Sequence, residues 1–121
     1  MSRTSHDEPT VDVVVTNNEQ KLRYEGRVDG ELVGFTTYTV QGDRIAFNHA
    51  EVSPKWEGRG VGSALARGAL DDVVSSGKVI TPLCPFIVDF VSQNPSYLPN
   101  VDEVHRQEIE ATIAVAPGGD D

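Results

Sequence analysis

The chain has 121 residues, room for one domain and one core. At 38% hydrophobic and 24% charged it suits a soluble globular protein, and no apolar run reaches the ~18 residues of a membrane span. The net charge of −9, with no basic stripe, disfavours nucleic acid; it serves solubility, or a field that favours a cationic partner.

The first ten residues, MSRTSHDEPT, hold no apolar stretch and read as a disordered N-terminus without a secretion signal. Residues 11–17, VDVVVTN, read as the first strand. Residues 21–28 and 31–40 flank Asp29-Gly30, a strong hairpin signal. QGDR at 41–44 turns the chain again. Residues 45–52, IAFNHAEV, form the fourth strand. Strict alternation puts Ile45, Phe47, His49 and Glu51 on one face, and Ala46, Asn48, Ala50 and Val52 on the other. No helix of useful length is readable before Ser53.

The period then changes. Leu65, Ala66, Ala69, Leu70, Val73 and Val74 recur at helical spacing, with Arg67, Asp71 and Ser75 opposite. Gly77 is a natural stop. KVITPLC, 78–84, reads as a fifth strand; Pro82 cannot donate to a ladder, so this strand is an edge or diverges there. PFIVDFVSQ, 85–93, reads as a short helix ending before Pro95, and 102–114 as a further helix. Residues 115–121 read as a disordered acidic tail, which leaves 11–114 as the domain. Residues 101–121 carry −5 of the net charge. The single cysteine, Cys84, forms no internal disulfide, and a reducing, cytoplasmic setting follows as the default.

Between the fourth strand and the long helix lies SPKWEGRGVGSAL, residues 53–65, with glycines at 58, 60 and 62. Glycines let a backbone turn tightly and approach a ligand. Free amides at a helix start attract anions. The stretch is a phosphate site or a plain glycine-rich turn. It matches neither G-x-G-x-x-G, since Ser63 and Leu65 stand where the last glycine belongs, nor a P-loop, since no Gly-Lys pair precedes Ser or Thr.

EVSPKWEGRGVGSALARGAL resembles motif A of the GNAT superfamily of acyl-CoA-dependent N-acyltransferases, which reads Gln/Arg-x-x-Gly-x-Gly/Ala between a strand and a helix. The motif falls on Glu57, Gly58, Arg59, Gly60, Val61 and Gly62. PLCPFIVDFVSQNPSYL is similar to the second half of the small, single-domain YjdJ-like subgroup. The resemblance spans roughly residues 12–98. It implies a compact mixed α/β fold, with a mostly antiparallel sheet splayed between strands 4 and 5 and helices after each. Acetyl-CoA would lie in the split, its pyrophosphate on Val52, Glu57, Gly58, Arg59, Gly60, Val61, Gly62 and Ser63. The implied activity is acetyl transfer to an amine, such as a lysine side chain, a peptide end or a polyamine, by a monomer or weak dimer. A CoA-binding module without turnover, and an interaction domain acting through its acidic tail, are the alternatives. The sequence departs from the pattern at Glu57, in place of Gln/Arg, and at Asn94, in place of the subgroup's histidine.

Such chemistry needs a base for the amine and an acid for the departing thiolate. Glu51, at the end of the fourth strand, serves as base if burial favours it, and is otherwise a surface acid. His49 is better suited to base work, or is a strand histidine with a structural hydrogen bond. Cys84 closes the fifth strand at a helix start, where amide dipoles favour thiolate. It is a candidate nucleophile or a small buried hydrophobe. The family's leaving-group tyrosine has its matching place near Val91, which leaves Tyr97 as the substitute. Trp56 packs the loop against the sheet or touches the adenine. The interval from Asn17 to Lys21 is too short for inserted helices, so the acceptor surface is expected to be shallow and open.

Overall fold

The computed structural model describes residues 11–114, so the expected disordered ends at 1–10 and 115–121 lie outside the described residues. Five strands form one sheet in the order β1-β2-β3-β4-β5. They are β1 (Val14–Asn18), β2 (Arg23–Val28), β3 (Glu31–Gln41), β4 (Arg44–Val52) and β5 (Val79–Pro82). The first four are an antiparallel meander, and β5 runs parallel to β4. A parallel neighbour needs a crossover, which α1 (Val61–Ser75) supplies. Then come α2 (Pro85–Gln93), a 3-10 turn at Pro95–Asn100 and α3 (Glu103–Ala114). This is the mixed α/β architecture expected from the sequence, splayed sheet included.

Local chemistry accounts for the joints. Asp29 and Gly30 both have positive φ, 51° and 84°, the signature of a two-residue hairpin whose twist matches its strands. At the end of α1, Gly77 has φ 74°; its N–H bonds to the Val74 carbonyl and that of Lys78 to the Val73 carbonyl. That pair of hydrogen bonds is the glycine stop seen in the sequence, and it feeds β5 at once. The first strand starts three residues later than expected. The Val11 N–H turns instead to the Arg59 carbonyl, which ties the incoming chain to the glycine loop.

The core lies between the sheet and the paired helices. Leu65, Ala66, Ala69, Leu70 and Val73 of α1 are buried against Tyr24, Tyr38, Ile45, Phe47 and Ile80. Ile87 and Val91 of α2 join the same cluster. The two helices meet directly: the Arg67 guanidinium sits 5.3 Å over the Phe90 ring and donates to Asn94 Oδ1 at 3.2 Å. Gly68 permits the approach of α1 to β1, because a Cβ there would stand 2.7 Å from the Cβ of Val15. Among the described residues, no helix is long and apolar enough to cross a membrane.

Candidate active site

The last third of β4 is shaped by one extra residue. Tyr38 pairs with Phe47 and Thr37 with His49, so Asn48 has no partner on β3. Such a bulge breaks the alternation of the strand. Phe47 stays with Tyr38 on the α1 face, whereas His49 and Glu51 pair with Thr37 and Phe35 on the opposite face. The expectation that Ile45, Phe47, His49 and Glu51 share one face therefore fails at Asn48, where register overrides period. The Thr37 hydroxyl donates to Asn48 Oδ1 and fixes the inserted side chain.

Beyond the bulge, His49 and Glu51 form a pair. His49 Nε2 lies 2.8 Å from Glu51 Oε2, and the side chains are 55% and 60% exposed. Burial, the condition attached to Glu51 as a base, is thus absent. Glu51 orients an imidazole instead. An imidazole that donates from Nε2 keeps Nδ1 as its acceptor.

The sheet opens beside this pair. Pairing of β4 with β5 ends at Phe47 and Pro82. The Leu83 and Cys84 N–H groups then both bond to the Phe47 carbonyl at 2.9 Å, and the chain turns into α2. Pro82 marks the divergence, as its missing N–H required. From Asn48 to Val52, β4 has no strand partner on that side among the described residues.

The glycine loop closes the upper end of this split. Gly58 has φ 80° and Gly60, the N-cap of α1, has φ 83°. Side-chain-bearing residues rarely adopt this region, so both glycines are required by the backbone. The first intrahelical bond runs from Ala64 N–H to the Gly60 carbonyl, leaving the Val61, Gly62 and Ser63 amides at the open helix start. A Cβ on Gly58 would meet nothing within 4 Å. Three amides at a helix end, bare backbone and open space fit the pyrophosphate of a nucleotide cofactor. Arg59 leans 5.0 Å over the Trp56 ring, and Trp56 Nε1 is buried with no partner among the described residues. Glu57 is exposed, with its N–H on the Pro54 carbonyl.

The structure draws the loop, the end of β4 and the start of α2 together. A Cβ on Gly62 would stand 3.0 Å from the Phe86 ring and 3.7 Å from the Val52 side chain. Cys84 is the N-cap of α2 and joins the split through its bond to Phe47. Its side chain is buried in the core cluster, the setting of a small hydrophobe. Tyr97 is not brought to the loop. Its hydroxyl donates to Asp71 Oδ1 at 2.6 Å, towards the far end of α1, and burial together with that carboxylate pushes its pKa up to about 12. Asn94 caps α2: its side-chain amide donates to the Phe90 carbonyl at 2.8 Å.

Two features escaped the sequence reading. The Asn48 bulge carries no local signal. A cluster of Arg23, Glu25 and Arg27 does carry one, since its two-residue spacing puts three charges on a single face.

No curated protein matches the chain. A family model described as GCN5-related N-acetyl-transferase matches residues 23–101, about two thirds of the chain, from the second strand through the 3-10 turn after α2. A strand, a glycine loop, a helix and a split sheet in this order carry an acyl-transfer fold, and the chain belongs to the GCN5-related N-acetyltransferase family.

Proposed function

We propose that the protein is an acetyl-CoA-dependent N-acetyltransferase for a primary amine, and that residues 11–114 are the working unit. The observation that carries the reading is the convergence of the glycine-rich helix start with an unpaired edge of β4 and the His49–Glu51 pair. The single buried cysteine suits a reducing, cytoplasmic setting. The similarity of residues 82–98 to the YjdJ-like subgroup belongs to the same reading.

Acetyl-CoA supplies an activated acyl thioester. The amides of Val61, Gly62 and Ser63 hold its pyrophosphate, with the Arg59 guanidinium close by. Val52 and Phe86 border the split below. Glu51 Oε2 orients the His49 ring through Nε2, and His49 Nδ1 takes the proton of the attacking amine.

A CoA-binding module without turnover is the second reading. The attachment of Tyr97 to Asp71 favours it, because that bond removes the expected acid for the departing thiolate. Release of CoA thiol from acetyl-CoA, followed with a thiol reagent across a panel of primary amines, separates the two. Amine-dependent release supports the transferase. Calorimetric CoA binding with no release from any amine selects the module.

A further inference from the structure

The face of the sheet that bears His49 and Glu51 also bears an organised pair of arginines. Glu25 pairs with Phe35 on β3, and Phe35 with Glu51 on β4. The three side chains share one row across three strands. Glu25 is only 4% exposed. Its two carboxylate oxygens accept from Arg27 at 2.7 Å and Arg23 at 2.8 Å. The Arg23 guanidinium also lies 4.7 Å over the Phe35 ring.

A carboxylate buried between two cations is a weak source of stability, since desolvation offsets much of the attraction. Its clear physical effect is to hold two guanidinium groups in place. Two arginines and one glutamate leave a local charge of +1 on a chain of net charge −9. Each guanidinium has five N–H donors in a planar fork suited to a carboxylate. Arg27 remains 40% exposed, with Nη1 on Glu25. Glu25 and Glu51 stand two strand spacings apart, about 9–10 Å, with Arg23 in the row of Thr37 and His49 and Arg27 one row beyond Glu25. Phe35 and Thr37 lie between, half-buried, with the Arg23 guanidinium over the Phe35 ring.

We infer that the acceptor is an amine with a carboxylate at its far end, lying across the sheet from the His49–Glu51 pair to the cluster of Arg23, Glu25 and Arg27. This rests on the proposed acetyl transfer. The amine sits at His49 and Glu51, an aliphatic middle crosses β3 beside Phe35 and Thr37, and the carboxylate meets the arginine cluster. A free lysine-type amino acid has this form, with its ε-amine at the reacting end. A diamine of equal length brings a second cation against the arginines and is disfavoured.

The test compares 6-aminohexanoate, hexylamine and cadaverine as acceptors for the 121-residue chain with acetyl-CoA, reading CoA release. The expected result is a kcat/KM for 6-aminohexanoate at least about tenfold above that for hexylamine, the scale of a charge-assisted hydrogen bond, with cadaverine poorest. In Arg27→Gln the ratio of the first two falls towards one. The wild-type comparison needs no variant, so it stands even if Arg27→Gln folds poorly. Equal rates for 6-aminohexanoate and hexylamine, or a preference for cadaverine, overturn the inference while the transferase reading stands. CoA binding without release from any amine overturns both.

Discussion

Phe47 and His49 stand two residues apart on β4, yet they face opposite sides of the sheet, because Asn48 between them has no partner on β3. One inserted residue thus separates a core side chain from a solvent-facing one. His49→Gln is therefore expected to leave the melting temperature within about 2 °C, as exposed substitutions do. It is expected to lower amine-dependent CoA release by ~10²–10⁴, the range of a general base. Full activity of a folded variant would remove His49 from the mechanism.

Gly60 offers a test of the loop. It holds φ 83° directly before the free amides of α1. Gly60→Asp adds a Cβ in a region that penalises it, and a negative charge beside the expected phosphates. One lost charge-assisted hydrogen bond costs ~1.5–3 kcal/mol, so CoA affinity should fall at least about tenfold. Calorimetry on the folded variant reads this directly. An unchanged Kd would move the pyrophosphate elsewhere.

Cys84 separates direct from covalent transfer. The side chain is 5% exposed and packs in the core, which favours direct attack. Cys84→Ala should then keep its activity within about tenfold, the loss coming from packing. If the acyl group rests on sulfur, the loss reaches several orders of magnitude. Mass spectrometry after acetyl-CoA without acceptor distinguishes the routes by the presence of a kinetically competent acetyl adduct on Cys84.

The Tyr97 hydroxyl belongs to Asp71 rather than to the split. Tyr97→Phe should lower stability by about 1 kcal/mol, or ~4–8 °C in melting temperature, and change turnover less than about threefold. A loss of turnover above a hundredfold, with stability kept, would restore it as the leaving-group acid.

Acid should expose the arginine cluster. Hydrogen bonds from Arg27 and then Arg23 hold the Glu25 carboxyl at about 2, below its usual 4.5, against the opposing push of burial. A lowered folded-state value contributes stability that is complete above pH 4.5 and is lost as pH falls towards 2. Urea midpoints measured from pH 6 to 2 should fall through that window. In Glu25→Gln the part due to this group should vanish. An identical slope in both proteins would show that the pairing adds nothing.

The sequence carried the elements whose signals are local. The 3.6-residue spacing of Leu65, Ala69 and Val73 marked α1, Asp29-Gly30 marked its hairpin, and Gly77 marked the stop. Pro82 marked the divergence of β5 because its chemistry is fixed wherever it stands. Asn48 was illegible because a bulge is a matter of register, set by what Thr37 and Tyr38 pair with across the sheet. The late start of β1 was hidden for a similar reason, since the Val11 N–H bonds to a carbonyl 48 positions along the chain. The attachment of Tyr97 to Asp71 likewise depends on how the 3-10 turn folds back on α1. Motif A pointed to the loop proposed to hold the ligand, while the contact between His49 and Glu51 was visible only in the geometry.

The shared acceptor at Phe47 has a mechanical consequence. Its carbonyl takes the last N–H of the β5 side and the first of the turn into α2, while the Cys84 carbonyl holds Ile87 and Val88 in the opening turn of that helix. A single oxygen is thus the pivot on which a strand end and a helix start are both hung. Peeling away the end of β5 would therefore pull on the first turn of α2 as well. A ligand that wedged the strands apart would be expected to carry Phe86, beside Gly62, with them.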